Sequence, residues 1–456
     1  MKTNFLANRA AGFWRSGISK AGISGICTLL SLSMAFYARA ATDLKVSKNG
    51  HFVQKADGTP FFWLGTTEWV LNSHSDSQVT TLLDKRAAQG FTVIQVFASR
   101  SPGDWWNNGR SEDNLGRSPF VNGDLFQFNS EYWNRWLWIA EKCAERNLML
   151  QLHYGEPGAL TGAVNQEGLY RFGKMIGDLF KRRANIIFVV SVDCNPNGGA
   201  GVDGWPVIAE GTADGINGID SYDQSADYST SFICYHPNGR NNSSDWYHTS
   251  EWLDINGIQW WHDNTKIYGA VSKDYSKTPA KPTIMLEGAY EDEPWDYFKS
   301  WYIRKEAYHS YFAGAAGYAY GHYYNWAQIA SIDYVDSTGA KHMAVLASFF
   351  KAREWWKFIP DQGMIAAGVG SGASQKAAVK SSTGSECYVY FPVNEPAGIA
   401  LDRITSSSKV HATWMDPRNG ATKAIATYAP SETVTFTPPS GWEDAMLMLN
   451  AEPSSK

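Results

Sequence analysis

Residues 186–193 read Ile-Ile-Phe-Val-Val-Ser-Val-Asp, a nearly continuous apolar run that ends on a carboxylate. A short, β-branched run of this kind fits a strand buried on both faces, as in a parallel sheet covered by helices. Residues 282–287, Pro-Thr-Ile-Met-Leu-Glu, repeat the pattern and also end on an acid. Working outward, strand-like segments fall at Phe61–Thr66, Phe91–Ala98, Leu148–His153, Ile186–Val192, Ser231–Tyr235, Ile255–Trp260, Pro282–Leu286 and Gly317–Gly321. Helical spacing separates most of them, at Gln78–Gln89, Glu131–Arg146, Leu169–Phe180, after the sixth strand, at Trp301–Phe312 and at His342–Phe358. This alternation predicts an α/β chain with a (β/α)8 TIM barrel over residues 41–360.

The pattern changes after Pro360. Gly368–Ser374 reads as a linker, although Gly368-x-Gly370-x-x-Ala373 mimics a dinucleotide loop without the strand and helix such a loop needs. Short alternating segments follow at Cys387–Pro392, Gly398–Ile404, Val410–Met415, Thr422–Tyr428, Thr433–Thr437 and Ala445–Leu449. They predict a small all-β sandwich over residues 361–456.

In a barrel of this type the chemistry sits at the carboxyl ends of the strands. Asp193 follows the fourth strand and Glu287 the seventh, so the two can face each other across the mouth. Apolar surroundings would desolvate them and raise a pKa toward that of a proton donor. Two opposed carboxylates are the minimum apparatus for cleaving a glycosidic bond, and they are the candidate catalytic pair. The other residues at strand ends are candidates for holding substrate: Glu68, Trp69, His153, Asn195, His236, Gln259, Tyr290, Glu291 and His322. Trp105, in the long segment Ser101–Phe126, is a candidate on a binding loop. Each has a plainer role open to it, as a loop cap or a salt-bridge partner. The ten histidines show neither metal-ligand spacing nor an HExxH run, so no metal and no cofactor is expected. No G-x-S-x-G is present, which disfavours a serine esterase.

Composition bears on partners. The chain carries 20 Trp, 23 Tyr and 22 Phe, and aromatic faces suit the C–H faces of sugars. The first forty residues hold Lys2, Arg9, Arg15, Lys20 and Arg39 and no acid, then an apolar stretch from Gly22 to Tyr37 and the small-x-small run Ala38-Arg39-Ala40. This reads as a signal peptide over residues 1–40, so a secreted or periplasmic location is expected. Its removal takes the net charge from −5 to −10, which argues against nucleic acid or an anionic membrane as partner. Four cysteines then remain, with no paired spacing. One or two disulfides are open to them, and Cys143, on an apolar helix face, reads as a buried thiol.

Several stretches together resemble the apiosidase-like family, glycoside hydrolase family 140 and its relatives. They are NGHFVQKADGTPFFWLGTTEW (49–69), IIFVVSVDCNP (186–196), YHPNGR (235–240), WLDINGIQ (252–259), KPTIMLEGAYE (281–291), AYHSYFAGAAGYAYGH (307–322) and FIPDQGMI (358–365). WMDPRNG (414–420) and FTPPSGWEDAMLML (436–449) are similar to the collagen-binding-type β-sandwich that follows the barrel in relatives. The resemblance implies a hydrolase whose Asp on the segment matched by VVSVDCNP and Glu on the segment matched by MLEGAYE are catalytic, which again selects Asp193 and Glu287. It implies a plant or microbial glycan as substrate, apiose-containing in characterised relatives. Relatives carry a Gly-Gly-Asp-Arg-Asn type of run where this chain has Ser191-Val192-Asp193-Cys194-Asn195, so a cysteine stands in place of a basic residue beside the acid. The alternatives are a glycan-binding barrel without catalysis, and a matrix-binding protein that works through the sandwich.

Overall fold

The computed structural model describes residues 42–99, 112–155, 164–196, 203–261, 263–294, 298–405 and 409–452. The proposed signal segment and Trp105 lie outside them. Eight parallel strands of a ten-stranded sheet curl in the manner of a TIM barrel: β1 (Trp63–Thr67), β2 (Val93–Phe97), β3 (Met149–His153), β4 (Ile186–Val189), β5 (Ile233–Cys234), β6 (Asn256–Gln259), β7 (Thr283–Glu287) and β8 (Gly317–His322). Parallel ladders join β1 through β5 in order, β6 to β7, β7 to β8 and β8 to β1. Between β5 and β6 there is no ladder. Asp254 replaces it: its N–H donates to the Ile233 carbonyl (3.0 Å) and its carboxylate accepts the Ile233 N–H (2.7 Å).

Polarity inside the barrel rises from one end to the other. At the amino-terminal end Trp63, Val93, Met149, Ile187, Phe232 and Ile284 form an apolar plug. A short hairpin (Leu44–Val46 with Val53–Lys55) covers it through Leu44 and Val53. Two residues further along the strands come Gln95 and Gln151, then His153. Because side chains alternate along a strand, each step of two moves one layer toward the carboxyl-terminal mouth.

The outer helices are α1 (Asp76–Ala88), α2 (Ser130–Ala144), α3 (Gln166–Phe180), α4 (Trp205–Asn217), α5 (Ile267–Tyr275), α6 (Ser300–Phe312) and α7 (Thr338–Lys351). α1 starts with a capping box, in which Ser75 and Gln78 satisfy each other's backbone N–H. α4 had no counterpart in the sequence reading. It is buried along nearly its whole length and packs on α3 through glycines. A Cβ on Gly173 or Gly177 would lie 2.2 or 2.1 Å from a carbonyl oxygen of α4, and one on Gly211 or Gly215 would lie 2.1 or 2.3 Å from one of α3. α7 ends at Lys351, short of the expected Phe358, and no segment among the described residues is a helix long and apolar enough to cross a membrane.

The sandwich begins earlier than expected. Its strands are β9 (Phe358–Pro360), β10 (Ile365–Ala367), β11 (Ala377–Ser381), β12 (Glu386–Phe391), β13 (Ala397–Ala400), β14 (Val410–Met415), β15 (Thr422–Tyr428), β16 (Thr433–Phe436) and β17 (Ala445–Ala451). They form a six-stranded sheet in the order β9-β11-β12-β17-β14-β15 and a three-stranded sheet in the order β10-β13-β16. Gly368–Ser374 therefore connects β10 to β11 within the sandwich and is not a linker between domains. Successive residues of β12 serve different cores. Cys387, Val389 and Phe391 face the three-stranded sheet, while Tyr388 and Tyr390 pack with barrel residues such as Tyr308, Phe349 and Phe350. Barrel and sandwich thus belong to one compact unit. Cys143, Cys194, Cys234 and Cys387 are all buried, and no disulfide joins them.

Candidate active site

The carboxyl-terminal mouth gathers side chains from the ends of six strands. Glu287 is the last residue of β7, where the register with β6 shifts so that Glu287 pairs with Gln259. Its carboxylate is mostly covered. Oε2 lies 3.2 Å from His236 Nε2. The Tyr290 hydroxyl donates to Glu287 and accepts from Trp69 Nε1 (2.8 Å). The catalytic candidate is therefore aimed by a relay that starts on a tryptophan after β1. Trp69 itself is fixed by stacking on Phe97 (4.2 Å) and by an edge contact with His153 (5.1 Å).

Asp193 stands beyond β4 with φ +45°, a left-handed conformation that an aspartate adopts at a cost of about 1 kcal/mol or more. The surroundings hold it there. The Cys194 carbonyl accepts from Asn238 N–H (2.9 Å) and from the Tyr235 hydroxyl (2.7 Å), and Gly239 N–H donates to Asp193 Oδ1 (3.2 Å). Gln259 also donates to the Asp193 carboxylate. The residue keeps solvent-accessible surface, so its desolvation comes from the walls of the mouth and not from burial in the core. That desolvation, and next the charge of Glu287, push its pKa up to about 6, against the opposing pull of His236. Asp193 and Glu287 therefore share one electrostatic site. The Cys194 side chain is packed into the core, so the substituted position beside the acid does not line the mouth.

His153 and His236 are both fully buried, with ring centroids 5.1 Å apart. Burial, and then the neighbouring His236, hold the His153 pKa well below the usual imidazole range, so His153 is neutral. The Ser191 hydroxyl accepts from His236 N–H (2.9 Å) and donates to the His236 carbonyl (3.0 Å), tying the ends of β4 and β5 together. Below them Gln95 and Gln151 are register partners on β2 and β3. Gln95 Oε1, Gln151 Oε1, His153 Nδ1, His236 Nδ1 and Gln259 Oε1 are buried and lack a hydrogen-bond partner among the described residues. Buried polar atoms are almost always paired in native proteins, so such a group of unpaired ones marks a place that a polar ligand or water fills.

The structure brings together Asp193, Glu287, Trp69, His153, His236, Gln259 and Tyr290. It separates three others. Glu68 is buried behind the mouth, where its carboxylate accepts from Thr66, Arg86, Asn325 and Tyr334, leaving nothing for a substrate. Glu291 is also buried, and accepts from Tyr320, Ser337 and Gly339 N–H at the start of α7. His322 caps the short helix Tyr323–Trp326 through Nδ1 and stacks on Tyr334. The Glu68 and Glu291 carboxylates are thus taken up by partners that hold the structure, whereas His322 ends β8 with Nε2 3.8 Å from Asp292. Asn195 is exposed, and its carbonyl accepts from Trp205 Nε1 (3.3 Å). Gln95 and Gln151 were missed, yet both are lone amides inside otherwise apolar strands, which is a readable signal. Trp261, with the Arg240 guanidinium 5.7 Å over its ring, adds an aromatic wall beside Gly239. Among the described residues no cluster of His, Cys, Asp or Glu could hold a metal.

Solved structures share this architecture. A glycoside hydrolase family 5 protein from Bacteroides vulgatus superposes with a TM-score of 0.78 at 24% identity, over 91% of this chain and 95% of that one. A second structure, described as a glycoside hydrolase, gives 0.77 at 23% identity, over 91% and 98%. At these identities the likeness establishes the fold. Among curated proteins no sequence matches this chain. The family model described as "Putative collagen-binding domain of a collagenase" matches residues 359–450. The model described as "Apiosidase-like, catalytic domain" matches residues 47–357, and the chain belongs to that apiosidase-like family.

Proposed function

We propose that this protein is an exported glycoside hydrolase acting on a plant or microbial polysaccharide or oligosaccharide, with Asp193 as general acid/base and Glu287 as nucleophile in a retaining mechanism. The observation that carries the reading is the shared site of the two carboxylates at the ends of β4 and β7, above a floor of unpaired amides and imidazoles. Asp193, with its raised pKa, would protonate the leaving oxygen. Glu287, aimed by Tyr290, would attack the anomeric carbon. Sugar hydroxyls would then satisfy Gln95, Gln151, Gln259 and the two histidines. Family membership supports glycosidase chemistry, and the apolar amino-terminal segment supports export.

The test is a screen of purified protein against plant and microbial glycans, read as released sugar by chromatography, with proton NMR of the first-formed anomer. Release of sugar with retained configuration is expected. Tight binding without product would favour the non-catalytic alternative, and inverted product would replace the nucleophilic role of Glu287 by that of a base.

A further inference from the structure

Beneath the mouth, α6 carries a second buried carboxyl group that the mechanism does not use. Glu306 has no exposed surface and no basic partner among the described residues. Its Oε2 accepts from the Ala289 N–H (3.0 Å) and from the Tyr318 hydroxyl of β8 (3.2 Å). Its Oε1 is buried and unpaired among the described residues. A Cβ at position 288 would lie 2.5 Å from Glu306 Oε2, so a larger residue there displaces this group. The Gly288–Ala289 bend lies between Glu287 and Tyr290, the two side chains whose mutual hydrogen bond sets the catalytic carboxylate. α6 is itself fixed from its other side, where Arg304 is locked to Asp444 of the sandwich (2.8 and 2.7 Å).

We propose that Glu306 is a positioning residue for the hydrolase site, gripping the Gly288–Ala289 bend so that Glu287 and Tyr290 both face the mouth. The proposal rests on the hydrolase reading above for its catalytic consequence. Burial pushes the Glu306 carboxyl up to about 8, so at neutral pH it is an uncharged acid that the core tolerates. A carboxyl group here reaches the backbone from a neighbouring helix, which no apolar side chain can do. Misplacing a reacting group by about 1 Å costs roughly 100-fold in rate, so the grip is expected to appear in kcat.

The experiment compares Glu306→Gln, which keeps a neutral acceptor of the same shape, with Glu306→Leu, which removes it. On the substrate found in the screen, the Gln variant should stay within about threefold of wild-type kcat, and the Leu variant should lose roughly 100-fold with KM within about threefold. A Leu variant with wild-type kcat, or Gln and Leu variants that fail alike, would overturn the proposal. Should the Leu variant not fold, Gly288→Ala probes the same contact from the other side, and unchanged kcat there also overturns it. Should the wild type hydrolyse nothing, the hydrolase reading fails by itself. Crystal structures of wild type and Glu306→Leu then decide: a Glu287 carboxyl displaced by about 1 Å supports the grip, and an unmoved one overturns it.

Discussion

At the seam between barrel and sandwich, Arg304 is fully buried and its donors are matched. Asp444 takes two of its hydrogen bonds, Glu443 another (2.8 Å) and His342 Nδ1 another (2.9 Å), while Tyr390 donates to the same Asp444 (2.7 Å). At the mouth the opposite holds. Amides and imidazoles equally deep in the protein keep atoms unpaired, and Asp193 sits in a strained conformation. Both regions bury polar groups: the Arg304–Asp444 network is paired throughout, although the Tyr308 hydroxyl and His309 Nδ1 near it are not, and at the mouth the unpaired atoms gather beside two carboxylates. Glu68 and Glu287 make the same point at closer range. Both are acids at the carboxyl end of a barrel strand, yet Glu68 is saturated by partners and Glu287 is aimed at the mouth.

Removing one group from each region separates the two roles. Asp193→Asn should lower kcat by about 10²–10⁴ on substrates with poor leaving groups, with folding intact. At the seam, Asp444→Ala leaves a buried guanidinium without its main partner and should cost about 3–5 kcal/mol in urea unfolding. If the seam variant lost activity without losing stability, the assignment of roles would be reversed. Next in size, Gly211→Ala forces a methyl group against the backbone of α3 and should cost about 1–3 kcal/mol in the same assay. The pH dependence is gentler. Asp193 must carry its proton to act as acid, so kcat/KM should fall about tenfold per unit above roughly pH 6. The linked effect on stability has a definite sign. The folded-state pKa of Asp193 is raised, so its favourable contribution is complete at low pH and is lost as pH rises through about 6. Asp193→Asn should therefore gain melting temperature over wild type at pH 7.5 relative to pH 3.5.

Much of the fold was legible because buried parallel strands announce themselves. Ile186–Val189 and Thr283–Glu287 are apolar on both faces, and the acids that follow them are conspicuous. α4 was not legible, since Trp205–Asn217 is buried nearly all round and shows no polar face to set a helical period. Its signal lay instead in glycines spaced four apart, Gly173 and Gly177 facing Gly211 and Gly215. The early start of the sandwich was hidden because β9 and β10 are only three residues long and β11 is buried on nearly every residue, so none of the three shows the alternation of a half-exposed strand. Glu68 and Glu291 were misread because their partners arrive from distant segments: Arg86, Asn325 and Tyr334 for the first, Tyr320 and Ser337 for the second. Strand-end position alone does not reveal such partners.

The proposed chemistry turns on Glu287 at the mouth. It is tested most directly by kcat of Glu287→Gln beside wild type on the substrate found in the screen. A loss of at least about 10³-fold is expected, with the melting temperature unchanged or raised. Turnover within tenfold of wild type would contradict it.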